Sequence, residues 1–528
     1  MIHLTDQVTL KLLYTSDVHG HALPILYGTN QAANLGLITY ATAVQHIRDK
    51  HDYVLVIDNG DLIQGTPFMT YYVKEHSHQS NPMIDIMNRI GLDAGIIGNH
   101  EFNFGLSVLE NAIKQSNYPW LSANILNKET GEPYFDPPYI IKTFPTGIKV
   151  GIVGVTTHYI PNWEKPEHIQ GIHFTDAYTS LEKWVQEMRK TEDCDVLIAA
   201  YHGGFERDIL SGEVTESLTG ENQGYKMAST IDGIDVLLTG HQHRILTGSI
   251  NDCLVIQPGN NGQAYGEVSI ELQKDHNDQW IIVDKHAEVR YLEDVEPDPN
   301  LFEELAPLEQ STQAWLDKPM GYVDGDMRIH HPHQARIQKH PFIEFIQRVQ
   351  MEVSGAPISV TSLLVNDAQG FPSTIRMRDI VSNYPYPNTL VVLSLTGRDI
   401  KLALEKCASY FSLDAEGNIA VNPEFIDPKP QHYNYDMWEG INYTIRVSKP
   451  LGEKVENIIF QGDALDMDRE YHVVMNNYRA SGGGYFDMFQ NKPVVKEIRQ
   501  DMVELISHYV KKHGTIQATV HANFKVIP

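Results

Sequence analysis

Seven residues of metal-ligating type stand in short polar clusters along the first half of the chain. They are Asp17 with His19, Asp61, Asn99, His202, and His241 with His243. The set offers nitrogen and oxygen donors and no thiolate. That suits Mn, Zn, Fe, Co or Ni rather than Ca or a structural thiolate zinc site. Counted as ligands, the seven suffice for two divalent cations with one shared carboxylate. Two such cations, roughly 3.5–4 Å apart, can clamp the attacking and leaving oxygens of a phosphoryl displacement. Singly the clusters are ambiguous. Asp17-Val18-His19 reads equally as a solvated strand end, and the histidines of Gly240-His241-Gln242-His243 also suit a turn. An asparagine directly after an apolar run, in Gly98-Asn99-His100-Glu101, is more specific.

The clusters gain weight from what precedes them. Leu10–Thr15, Tyr53–Ile57, Ala94–Ile97, Val196–Ala200 and Val236–Leu238 are short runs rich in Val, Ile and Leu, and each ends in one of these clusters. Continuous apolar runs of this length predict strands buried on both faces, with helical segments such as Leu35–Lys50 between some of them. In open α/β sheets ligands bind beyond the carboxyl ends of strands. Five such endings predict one site.

Composition narrows the function. The 528 residues carry 68 Asp and Glu against 41 Lys and Arg, a net charge of −27. That excess repels a nucleic-acid polymer and an anionic membrane surface. A small anionic substrate is compatible, because bound cations would supply the attraction. Cys194, Cys253 and Cys407 are far apart and lack metal-ligand spacing, so they read as buried thiols. No apolar run approaches the roughly 18–20 residues of a membrane helix. The first residues show no leader pattern, so the expected location is cytoplasmic as the chain stands, or exported if a leader has been removed. An acidic, proline-bearing stretch at 293–299 marks the boundary. It predicts a metal domain over 1–296, a linker helix over 297–320 and a second domain over 321–528.

The order Asp-x-His, Gly-Asp, Gly-Asn-His-Glu, His and Gly-His-x-His resembles the calcineurin-like metallophosphoesterase superfamily. With the second domain the chain is similar to the bacterial 5′-nucleotidase/cyclic phosphodiesterase family over nearly its whole length. The resemblance implies a four-layer αββα metal domain followed by a smaller α/β (α+β) substrate-binding domain. It implies one cation held by Asp17, His19, Asp61 and His243, and another by Asp61, Asn99, His202 and His241, with Asp61 bridging. It also implies His100 as a catalytic histidine that stabilises phosphoryl charge or hands a proton to the departing ribose oxygen. Water made nucleophilic near neutral pH by the cations would attack. In the 5′-nucleotidase branch an Asp three residues after this His orients it; here that position is Asn103.

The second domain bears on substrate. Asn476-Asn477-Tyr478-Arg479-Ala480-Ser481-Gly482-Gly483-Gly484 has glycines that allow close backbone approach and a tyrosine able to stack on a base. The 5′-nucleotidase branch has an Asp where Gly484 stands. The string is instead similar to the 2′,3′-cyclic-nucleotide 2′-phosphodiesterase/3′-nucleotidase branch. So are the strings at Tyr384–Thr389, Asn99–Asn103 and Asp58–Gly65. The resemblance implies a base stacked between Tyr478 and Tyr435, or Tyr433 if the loop is displaced, with Asn476, Gly482, Gly483 and Gly484 around it. Without the family, such tyrosines read as packing. The expected activity is hydrolysis of 2′,3′-cyclic nucleotides and 3′-nucleotides to nucleoside and phosphate. The alternatives are a 5′-nucleotidase or nucleotide-sugar hydrolase and, more remotely, a non-catalytic nucleotide-binding protein. His330-His331-Pro332-His333 reads as a solvated loop, and Arg376 with Arg378 as a strand edge. Native metal, base preference and oligomeric state are not written in the sequence.

Overall fold

The computed structural model describes residues 7–528 apart from 217, 367, 387, 428–429 and 499. Within the Tyr384–Thr389 string, Pro387 thus lies outside the described residues. The chain forms two compact units, Met1–Thr312 and Gln313–Pro528. The division falls inside the helix Pro299–Leu316, and the strand Pro319–Asp324 pairs with Thr374–Arg376 and Thr515–Gln517.

The first unit holds two six-stranded mixed sheets. One runs Trp280–Tyr291, Ala264–Lys274, Gln7–Thr15, Val54–Asp58, Ala94–Ile96 and Trp120–Leu121, its last four strands parallel. The other runs Ile245–Ile250, Cys253–Pro258, Val236–Thr239, Val196–His202, Lys149–Thr156 and Tyr139–Thr143, its four middle strands parallel. Alternate side chains of both sheets meet in a shared core that includes Leu10, Leu12, Tyr14, Ile57, Ile152, Ile198, Leu238 and Ile256. The period of two that directs these inward sends Leu197, Ala199 and Tyr201 to the opposite face. There they meet Leu181, Val185 and Met188, spaced along one side of the helix Ala177–Thr191. The helices Leu37–Arg48, Pro82–Ile90 and Leu106–Gln115 pack with one another and with the strand Val54–Asp58 on the first sheet. The result is the αββα sandwich expected. Its parallel strands end together, so the residues after Thr15, Asp58, Ile96, His202 and Thr239 are gathered at one edge.

The second unit is built on a five-stranded sheet in the order Asp436–Glu439, Ile358–Ser362, Glu470–Asn476, Leu390–Thr396 and Val494–Ile498. Only Ile358–Ser362 and Glu470–Asn476 pair in parallel, and the helices Pro341–Ser354 and Gly397–Ala408 pack on the sheet. Residues 332–337 are helical rather than a loop: Pro332 sits in the first turn, where its missing N–H costs nothing. Likewise Arg376 ends a short strand while Arg378 lies in the helix Met377–Asn383, bonded to Asp317 and Gln313. The three cysteines are buried and free. Among the described residues no helix is long and apolar enough to cross a membrane.

Ile198 lies at the centre of the inter-sheet core with no solvent exposure. Replacing it with Ala removes buried methyl groups and leaves a cavity, so Ile198→Ala should destabilise the fold by about 2–5 kcal/mol. Urea unfolding followed by circular dichroism checks this; an unchanged midpoint contradicts the packing described.

Candidate active site

At the gathered strand ends the backbone turns through unusual conformations. Asp17, His19, Asp61, His241 and His243 all have positive φ, between 51° and 65°, a region non-glycine residues seldom occupy. The strain is held by bonds between the loops. Asp17 N donates to Gly60 O (2.9 Å), His19 N to Asp61 O (2.8 Å) and Gly20 N to Leu62 O (2.9 Å). His241 N donates to the Asp17 carboxylate (2.9 Å) and His100 N to Asp61 Oδ1 (2.7 Å). Glycine is required where the loops touch. A Cβ at Gly98 would lie 2.3 Å from Asp61 Oδ1, and one at Gly240 would lie 2.1 Å from Ser16 Oγ.

Two groups of donors result: Asp17, His19 and His243, and Asp61, His202 and His241, each with its ligand atoms within 4.8 Å of one another. His243 Nε2 is 3.4 Å from Asp17 Oδ1 and 3.0 Å from His19 Nε2. Asn99 Oδ1 completes the second group, 3.1 Å from His202 Nε2 and 2.9 Å from His241 Nδ1. Asp61 Oδ2 faces both groups, 3.2 Å from His202 Nε2 and 4.0 Å from His19 Nε2. The far nitrogens are occupied. His202 Nδ1 donates to Asn59 O (2.6 Å), His19 Nδ1 lies 3.3 Å from Gln64 O, and His241 Nε2 is 3.0 Å from Glu221 Oε1. Partners of this kind fix the tautomer so that the inward nitrogen carries a lone pair when a cation is bound. The arrangement is compatible with a dinuclear metal site: the donors are chemically suited, they converge, and Asp61 is placed to be shared.

The charges are buried. Asp17 and Asp61 are essentially inaccessible. Burial alone would raise both carboxyls, but His243 and His202 beside Asp17 hold it well below the usual range. His202, His100 and His19 do the same for Asp61. Burial works against charge on His202, yet the facing Asp61 carboxylate raises its imidazole to about 10. His19 is driven down to about 3 by burial and by His243. Glu101 lies beneath the loop with no exposure, accepting N–H bonds from Asp61 (2.8 Å), Leu62 (2.6 Å) and Gly98 (2.7 Å). His100 stands edge-on to His19, with ring centroids 5.1 Å apart, and its Nδ1 is 2.6 Å from Asn103 Oδ1. His21 turns back onto its own loop, Nδ1 3.0 Å from Val18 O.

In the second unit the two aromatic loops lie together, joined by Arg479. Its guanidinium pairs with the buried Asp436 carboxylate (2.7 Å), bonds Tyr433 O (3.0 Å) and Gly483 O, and sits over the Phe486 ring. Tyr435 is placed otherwise than expected. It is fully buried, stacked on Tyr410 at 5.0 Å and bonded through its hydroxyl to Arg336 O (3.1 Å), so it offers no face to a base. Tyr433 lies in the short turn His432–Asn434 ahead of the strand Asp436–Glu439, and it and Tyr478 are only partly buried. Asn476 caps the turn Asn477–Ala480, accepting from Arg479 N (2.7 Å). The close approach that Gly483 allows is to the loop itself: a Cβ there would lie 2.6 Å from Tyr478 O and 2.7 Å from its ring. At Gly484, with φ of +72°, a Cβ would lie 2.1 Å from Asn434 Oδ1.

Residues 10–244 match the calcineurin-like phosphoesterase model, and residues 319–491 match the 5′-nucleotidase C-terminal domain. The crystal structure of a "Putative 5′-Nucleotidase" from Staphylococcus aureus in complex with α-ketoglutarate is 36% identical, with a TM-score of 0.91, over 98% of this chain and all of that one. The chain belongs to the 5′-nucleotidase family of calcineurin-like metallophosphoesterases. It is 27% identical to the 2′,3′-cyclic-nucleotide 2′-phosphodiesterase/3′-nucleotidase of Yersinia enterocolitica, over 98% of this chain and 88% of that protein. It is 26% identical to the trifunctional nucleotide phosphoesterase YfkN of Bacillus subtilis, of which it spans 39%. As in any calcineurin-like site, the working residues come from separate strand ends, and several supporting ones escape a motif search. Glu101 lies inside a quoted motif, but its role as a brace is visible only in space. Trp163, stacked on His241 with centroids 5.4 Å apart, and Glu221 come from loops with no strand-end signature.

The facing Asp61 carboxylate raises His202 from the 6.5 of a free imidazole to about 10, which favours its protonated form while no cation is bound. Its pairing with Asp61 therefore supports the metal-free fold fully below pH 6.5 and loses effect as the pH rises toward 10. A cation taking Nε2 must displace that proton. At pH 8, Zn²⁺ binding should release about one proton per chain from this site. Calorimetry in buffers of different ionisation enthalpy reads the release, and a heat independent of buffer contradicts it. Gly98→Ala, which pushes a methyl into Asp61, should bind fewer than two cations per chain.

Proposed function

We propose that the protein hydrolyses 2′,3′-cyclic nucleotides and 3′-nucleotides, giving nucleoside and phosphate. The metal-dependent phosphoesterase chemistry belongs to the family; the substrate is the step beyond. The observation that carries it is the Tyr478–Gly484 loop. Its sequence is similar to that of the cyclic phosphodiesterase branch, and an aspartate at Gly484, at φ +72°, would require the Asn434 and Arg479 side chains to shift. Curated relatives with that activity from Yersinia enterocolitica, Haemophilus influenzae and Salmonella typhimurium, each 27% identical, align over 98–99% of this chain.

Asp17, His19, Asp61 and His243 would hold one cation, and Asp61, Asn99, His202 and His241 the other. When bound, the cations supply the Lewis acidity that makes water nucleophilic near neutral pH and offsets phosphoryl charge. The protein orients the rest. His100, steered by Asn103, presents Nε2 to the reacting phosphate, to stabilise developing charge or protonate the leaving ribose oxygen. Opening of the cyclic diester at the 2′ oxygen and hydrolysis of the 3′-monoester need the same groups, so one site serves both. Tyr478, with Tyr433 in place of the buried Tyr435, supplies aromatic surface for the base, and a stacked base contributes about 1–3 kcal/mol. No nucleic-acid polymer is needed as substrate, and the charge of −27 disfavours one.

The Staphylococcus aureus structure, by its printed name, favours a second reading, hydrolysis of 5′-nucleotides. Phosphate release from 2′,3′-cyclic AMP, 3′-AMP and 5′-AMP with added Mn²⁺ separates the two. Turnover of the first two with 5′-AMP poor is expected, and preference for 5′-AMP overturns the substrate proposed. His100→Ala should lower kcat by about 10²–10⁴-fold. Tyr478→Ala should act mainly on KM, raising it about 5- to 100-fold.

A further inference from the structure

Asn103 is neutral, so on its own it orients His100 ambiguously. A side-chain amide has an accepting oxygen at one end and a donating NH₂ at the other, and the two can exchange by rotation. With Oδ1 toward His100, the ring must carry its proton on Nδ1. With NH₂ toward His100, Nδ1 must accept, and the neutral ring carries its proton on Nε2 instead. Only the first arrangement leaves Nε2 free to act toward a phosphate in both protonation states.

One side chain breaks the symmetry. Asn103 Nδ2 lies 2.7 Å from Glu164 Oε2, while Asn103 Oδ1 lies 2.6 Å from His100 Nδ1. An ionised carboxylate only accepts, so Glu164 draws the NH₂ end to itself and turns the oxygen to His100. Glu164 is itself anchored, with a side chain only 6% exposed. Its Oε1 accepts from Lys165 N (2.8 Å) and lies 2.9 Å from His168 Nδ1. The preceding residue, Trp163, stacks on His241, with planes 23° apart, so the turn is held against the site at two points. We propose that Glu164 is the positioning residue of this site: it sorts the two ends of the Asn103 amide and thereby fixes the Nδ1–H tautomer of His100. The chain thus holds a carboxylate one residue further from the histidine than the aspartate of the 5′-nucleotidase branch, with an amide relaying its orientation. The inference rests on the phosphoesterase reading only for its kinetic readout.

The full chain loaded with Zn²⁺ is compared with Glu164→Ala, Glu164→Gln, Asn103→Asp and the double variant Asn103→Asp/Glu164→Gln, using bis(p-nitrophenyl) phosphate and 3′-AMP. Glu164→Ala should lower kcat about tenfold or more. KM should stay within about twofold and bound zinc unchanged, since no ligand or substrate contact is altered. Asn103→Asp sets two carboxylates face to face, so it should also lose activity, and adding Glu164→Gln should then raise kcat. That reversal of sign is the result a merely structural Glu164 cannot produce. In parallel, ¹⁵N shifts of the His100 ring, assigned by their loss in His100→Ala, should report Nδ1–H in the wild type and a shift toward Nε2–H in Glu164→Ala. The proposal is overturned by Glu164→Ala retaining kcat within about twofold of wild type. Equal losses from Glu164→Gln in both backgrounds, or an unchanged tautomer, overturn it too. A wild type inactive on every phosphoester removes the phosphoesterase reading instead, and the ¹⁵N shifts still decide the role of Glu164.

Discussion

Two carboxylates, Asp17 and Asp61, are buried at the edge of a double sheet, and most of the first unit's local structure follows from keeping them there charged. An uncompensated buried carboxylate costs several kcal/mol or takes up a proton. Here each is met by imidazoles and by backbone N–H groups from neighbouring loops, with His241 N on Asp17 and His100 N on Asp61. The strained φ values of the five Asp and His residues are the geometric consequence. Strained conformations of this kind persist where the surrounding structure over-determines them. Glu101 bonds the N–H groups that the loop at Asp61 would otherwise leave unsatisfied.

The same constraint explains why the glycines cluster where they do. Gly98 and Gly240 touch Asp61, Asp17 and Ser16 so closely that a methyl group has no room. They are contact residues of the carboxylates rather than hinges. Around this centre the orienting groups come from other loops: Glu221 and Trp163 on His241, Asn103 and Glu164 on His100.

The second unit solves a different problem, holding two irregular loops in register without a metal. Arg479 does this through its buried pair with Asp436 and its bonds to the carbonyls of Tyr433 and Gly483. Truncating it would strand the Asp436 charge in the interior, the costly half of breaking a buried pair. The glycines fold the loop over the Tyr478 ring, so their contribution to a ligand is indirect: they set where that ring stands.

The sequence alone determined the strand ends and the seven donor residues, because each of these is local, whereas the αββα class came only from the resemblance to a family. A short apolar run that stops at a polar cluster reads as a buried strand, and the donors stand at its end or in the loop just beyond it. What lies across the fold was not legible in the sequence. Whether Tyr435 or Tyr433 is exposed is decided by the packing of Tyr435 on Tyr410 and its bond to Arg336 O, partners distant in the sequence. The helix at Pro332–Ile337 depends on burying Ala335 and Arg336, which no local pattern announces. Above all, Glu164 is 61 residues from Asn103, and nothing in either loop marks the other as its partner. A hydrogen bond between distant loops is decided only when the sheets that carry them are packed.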